Sequence, residues 1–61
     1  MMYFWYAERD EKSDIHQHLN QASGTIIADS PENAFAEALQ QAKEYLGNTK
    51  KFTIKQFNSV Q

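Results

Sequence analysis

Sixty-one residues make one domain at most (1–61), and a chain this short buries only about 60% of the surface it exposes when unfolded, so its stability margin is thin. The absence of cysteine excludes a disulfide framework and thiolate metal sites. Eight acidic against six basic residues, a net charge of −2, argue against a dedicated duplex-DNA binder.

The chain opens with MYFWYAE (residues 2 to 8), too short for a helix with its own core face and rich in aromatics that suit a pleated surface, so it reads as a first strand. Arg9 to Asp14 is all polar and reads as a hairpin loop. From Ile15 to Asp29 no helical stripe appears. The β-branched run Thr25-Ile26-Ile27 places a second strand over at least residues 21 to 28, with Gly24 marking a bulge or bend.

Ser30-Pro31-Glu32 reads as a cap, a first helical residue and an acidic first turn, starting a helix at Pro31. Phe35, Ala38, Leu39, Ala42, Tyr45 and Leu46 recur at spacings of three and four and predict its packed face; Gly47-Asn48 ends it. KFTIKQF (residues 51 to 57) reads as a third strand, with Asn58 to Gln61 expected to fray.

The order β-β-α-β predicts an α+β domain. Strands one and two form a hairpin, and a helix about 24 Å long returns the chain so that strand three runs parallel to strand two. A right-handed crossover then gives a three-stranded antiparallel sheet in the order 2-1-3, with one helix packed on one face. The aromatic strand is central, where enclosure is greatest.

One helix covers one face only. Alternation sends Tyr3, Trp5 and Ala7 one way and Met2, Phe4 and Tyr6 the other. We assign Phe4, with Ile26, Phe52 and Ile54, to the helix side against Phe35, Leu39 and Ala42; alternation alone supports the opposite assignment nearly as well. On this assignment Tyr3 and Trp5, joined by Ile27 and Phe57, lie on an uncovered face large enough to mark an interface. The simpler alternative is that the N-terminal tail or residues 9 to 20 fold over them.

Candidate chemistry is sparse. Asp14, His16 and His18 alternate, so an extended chain would turn all three one way, as a metal grip requires, but no fourth ligand accompanies them and a solvated segment is the simpler reading. Glu8, Asp10, Glu11 and Asp14 crowd one loop, where mutual repulsion and solvent suffice as explanation. No cleft for acid/base catalysis is expected, nor any cofactor or metal, so the chain reads as a non-enzyme. No apolar run approaches the length of a membrane span and no signal-peptide pattern appears, which predicts a soluble, cytoplasmic protein without membrane contact.

The expected function is protein binding, to a host factor or to a second copy as a homodimer. Tyr3, Trp5 and Phe57 are the expected apolar anchors, and Asp10, Glu11 and Asp14 an acidic rim able to mimic phosphates or steer a basic partner. The alternative is a single-stranded nucleic-acid module in which Tyr3 and Trp5 stack bases beside Lys51 and Lys55.

The stretch DSPENAFAEALQQAKEYL (Asp29 to Leu46) resembles the helix of HicB-type antitoxins, where a Thr or Ser cap, an acidic first turn and an Ala-rich amphipathic helix follow a strand pair. That resemblance is confined to these residues and implies the capped helix. As a type, the whole chain resembles the short standalone proteins of bacteriophages and prophages: tiny, acidic, cysteine-free, one sheet layer and one helix. That likeness implies an accessory role in a bacterial host cell, binding and blocking a host protein, including the anti-defence and anti-CRISPR kinds.

Overall fold

The structure, a computed structural model, describes residues 1–12 and 19–60. Three strands, β1 (Met2–Arg9), β2 (Gln21–Ile27) and β3 (Phe52–Val60), form an antiparallel sheet in the order β2-β1-β3. One helix, α1 (Pro31–Leu46), packs on one face, and a single 3-10 turn (Thr49–Lys51) leads into β3. The expected α+β class, strand order and central aromatic strand are all present.

The helix begins and ends where its local chemistry dictates. The Ser30 hydroxyl accepts from the Asn33 N–H at 3.2 Å, satisfying one of the free donors of the first turn, and Pro31 sits where a missing N–H costs nothing. At the other end Gly47, at φ 91, adopts a conformation that side chains resist, and its N–H donates to the Lys43 carbonyl. The face turned to the sheet is a stripe with a spacing of four: Ala34, Ala38, Ala42 and Leu46, all fully buried. Leu39 is half-buried, while Phe35 and Tyr45 are exposed, so the packed face is rotated from the one the larger side chains predict.

The sheet explains this rotation. Tyr3, Trp5 and Ala7 of β1 point at the helix and are buried, with Ile26 and Phe52 beside them; Ile54 and Phe57 pack at the margin. The expected assignment of faces is therefore reversed for β1: Phe4 lies on the open side, and Tyr3 and Trp5 lie under the helix. A fully buried indole needs volume from its neighbours, and the helix supplies it by presenting alanines where a larger residue would overfill the layer. Alternation also ties Phe4 to Glu8, whose carboxylate has no place in an apolar core.

Phe57 was expected on the open face and lies on the covered one. The β1–β3 register slips by one residue between Tyr6 and Ala7, so Trp5 pairs with Phe57 while Ala7 pairs with Ile54. Strict alternation from Phe52 and Ile54 would turn Phe57 outward; the extra residue restores it to the core side. Tyr3 and Phe57 then stack with ring centroids 5.5 Å apart, and Phe35 meets Phe57 edge-on at 5.2 Å. β3 also continues to Val60, pairing with Met2, where fraying was expected.

Gly24 introduces no bulge, since the β1–β2 register is unbroken from Met2/Ile27 to Glu8/Gln21. It sits opposite Trp5, and a Cβ there would lie 2.9 Å from the indole Nε1 and 3.2 Å from Gln41 Oε1. The glycine is required by close approach, because the indole occupies the space of its missing side chain. Gly24→Ala therefore reverses the usual sign of such a change. In an unconstrained strand alanine stabilises by about 0.4–1 kcal/mol, whereas here overpacking should cost about 1–3 kcal/mol. At about 4–8 °C per kcal/mol for a domain this size, a thermal melt that rises or stays level would refute the packing of Trp5 on Gly24.

Candidate protein-binding surface

The open face is built by register. Met2, Phe4, Tyr6 and Glu8 of β1 point away from α1, flanked by Ile27, Thr25, Ser23 and Gln21 on one side and by Val60, Asn58, Gln56 and Thr53 on the other. Across one end of the sheet Ile27, Met2 and Val60 lie abreast, 77%, 43% and 36% exposed, and Phe4 forms the next row inward. An apolar cluster of a few hundred Å² is the scale at which an exposed patch marks an interaction site.

The opposite end is polar and internally satisfied. The Tyr6 hydroxyl lies 2.7 Å from Glu8 Oε2 and 3.0 Å from Gln21 Oε1. The phenol carries one proton, and the shorter contact to the carboxylate takes it; Gln21 completes the cluster as donor when its amide is turned nitrogen-first. The hydrogen bond to Glu8 holds the Tyr6 phenol above its ordinary value of 10.0, with burial and the negative charge of Glu8 acting in the same direction. Glu8 is the one charged residue among the twelve paired positions of this face, and its carboxylate is already engaged. Few charges among the paired positions, with Met2, Ile27 and Val60 exposed and Phe4 half-buried beside them, match the charge-depleted composition of an interface core.

The anticipated anchors are placed differently. Tyr3 and Trp5 are buried, Trp5 completely, and its Nε1 donates to Gln41 Oε1 at 3.1 Å. Phe57 is half-buried between Tyr3 and Phe35. None of the three reaches the uncovered face, whose apolar side chains come from Met2, Phe4, Ile27 and Val60 instead. The signal that identifies them is Glu8, which shares their parity on β1.

Asp10 is exposed but structurally committed: its N–H donates to the Lys51 carbonyl, and its carboxylate accepts from the Thr53 hydroxyl at 2.6 Å. Glu11 is exposed beside it. Arg9 closes the loop, donating from its backbone to the Asn20 carbonyl and from its guanidinium to the Leu19 carbonyl at 2.9 and 3.1 Å. Asp14, His16 and His18 lie outside the described residues, and with them the expected metal alternation and part of the acidic rim.

The nucleic-acid alternative loses its platform. Lys51 and Lys55 are exposed, but Tyr3 and Trp5, the rings they would flank, are under α1. The rings that do face outward, Phe4 and Tyr6, are a different pair, and they share their face with Glu8. Two depressions beside the last turns of α1, one lined by Leu39, Lys43 and Thr49 and the other by Arg9, Leu46 and Lys51, are shallow and open to solvent. Among the described residues no helix is long and apolar enough to cross a membrane.

The Tyr6 cluster makes a prediction about pH. A phenol whose folded pKa is raised contributes stability that is present below its unfolded value near 10 and is lost as pH rises through the folded one. Followed by its ring carbon resonance, Tyr6 should titrate above pH 10, and Glu8→Gln should bring the midpoint down toward 10. A midpoint indifferent to Glu8→Gln would show that the carboxylate is not the cause.

Set against known proteins, the chain matches no family model, no curated protein and no solved structure.

Proposed function

We propose that this chain is a protein-binding module that works through the uncovered face of its sheet, as a modulator or inhibitor of a bacterial host factor of the kind that small phage and prophage proteins block. The observation that carries this reading is the row Ile27, Met2, Val60, exposed and abreast, with half-buried Phe4 behind it, on a face whose paired positions carry one charge, Glu8, hydrogen-bonded by Tyr6. A sheet face kept soluble for its own sake alternates apolar with charged residues; this one gives all but one of its paired outward positions to apolar, aromatic and uncharged polar side chains. Glu11, exposed at the polar end, supplies the rim charge that steers a basic partner.

The surface is separable from the core, and this makes the proposal testable. Met2→Lys alters an exposed position, with an expected stability change within about 0.5 kcal/mol. In a pull-down from bacterial lysate, the wild-type chain should retain a protein that Met2→Lys loses, while Gln40→Lys on the outer face of α1 retains it. Retention indifferent to Met2→Lys would remove the sheet face from the function. Oligonucleotide binding that weakens steeply with salt would overturn the reading in favour of nucleic acid.

A further inference from the structure

The ladder geometry of β2 exposes a second surface, independent of the sheet face. At one end of the β1–β2 pair Met1 and Ala28 exchange both backbone bonds, and at the other the Arg9 N–H donates to the Asn20 carbonyl. Hydrogen-bonded pairs alternate along an antiparallel ladder, so between these ends Ala22, Gly24 and Ile26 direct their backbone groups at β1. Gln21, Ser23, Thr25 and Ile27 direct theirs outward. Four residues with one N–H and one C=O each leave eight backbone groups along this edge, and none of the hydrogen bonds formed by the described residues engages them.

The two edges of the sheet are not treated alike. The β3 edge carries Lys55, follows Lys50 and Lys51, and is broken by the register slip opposite Tyr6 and Ala7. A lysine and a bulge are the usual devices that keep an edge from pairing. Over Gln21–Ile27, β2 has no charge, no proline and no bulge.

We propose that β2 is the site at which a second copy of this chain adds, antiparallel about a two-fold axis, joining two three-stranded sheets into one of six strands. The edge specifies its own register. With the axis at Gly24, Gln21 pairs with Ile27 and Ser23 with Thr25 of the second copy, and all eight outward groups are satisfied with none left over. The pairing is isologous and meets no like charge. Gln41 reaches the indole over Gly24, so the flank of α1 that bears it overhangs β2, and Tyr45, one turn along and 52% exposed, lies on that flank. The same axis runs the second helix antiparallel past it and sets Tyr45 opposite Glu37 of the second copy, which gives an exposed tyrosine a partner.

Sedimentation of the full chain tests this together with amide exchange measured at high and low protein concentration. The expected result is a mass twice 7.1 kDa that falls to the chain mass on dilution. Protection should be gained on association at Gln21, Ser23, Thr25 and Ile27, and be independent of concentration at Ala22, Gly24 and Ile26. Ser23→Pro removes one outward N–H and no β1–β2 bond, and should halve the mass while leaving the circular dichroism intact. Ser23→Lys, which copies the guard on β3, should do the same if the proline variant fails to fold. A chain monomeric at every soluble concentration overturns the proposal, as does a dimer in which the four outward amides exchange freely. A dimer lost through Met2→Lys but insensitive to both Ser23 variants would place self-association on the sheet face and equally refute β2 pairing.

Discussion

The seating of one indole decides the architecture of this domain. Trp5 stands on the central strand, lies over Gly24 of its neighbour, is covered by the alanine stripe of α1 and gives its N–H to Gln41. Burying a side chain of about 200 Å² is worth about 5 kcal/mol. The net stability expected of 61 residues is itself only about 3–9 kcal/mol. A single side chain thus contributes on the scale of the whole margin, and its neighbours are fitted to it: a glycine beneath, alanines of α1 in the same buried cluster, and an amide at the edge, because an unpartnered buried N–H would cost part of what burial gives.

The helix boundaries, the element order and the central position of the aromatic strand were legible because each rests on local chemistry: the cap at Ser30, the stop at Gly47, and a connectivity that leaves few arrangements. The choice of covered face was not, because both parities of β1 are aromatic and alternation treats them alike. Two residues break the tie. Glu8 belongs with Phe4 and forbids that parity from the core, and Gly24 leaves space that only a large neighbour can fill. Reading helix burial from the bulkiest side chains failed for the complementary reason. Where the sheet brings Tyr, Trp and Phe to the layer, the helix must bring alanine, so the packed stripe is the least hydrophobic-looking one.

Phe57 shows the limit of periodicity from the other side. Its parity disagrees with that of Phe52 and Ile54, and no count along β3 reconciles them without the extra residue that the register slip supplies. That slip places Phe57 where it can stack on Tyr3 and receive Phe35, packed against the buried cluster. It also spoils the outer edge of β3 for pairing. One irregularity therefore completes the core on one side of the strand and closes an edge on the other, which leaves β2 as the uniform edge.

The division of labour between faces has an energetic consequence. Among the described residues the buried apolar core lies between the sheet and α1, and the outward side chains of Met2, Ile27 and Val60 are not part of it. Substitutions there can retune recognition without drawing on a margin of several kcal/mol, whereas the covered face has no such freedom. The coupling then runs in one direction. A partner that occupies the open face or the β2 edge binds only the folded chain, and at a concentration one hundred times its dissociation constant it adds about 2.7 kcal/mol to the folded state. For a domain of this size that is a large fraction of the total, so occupancy of these surfaces governs how much of the chain stays folded.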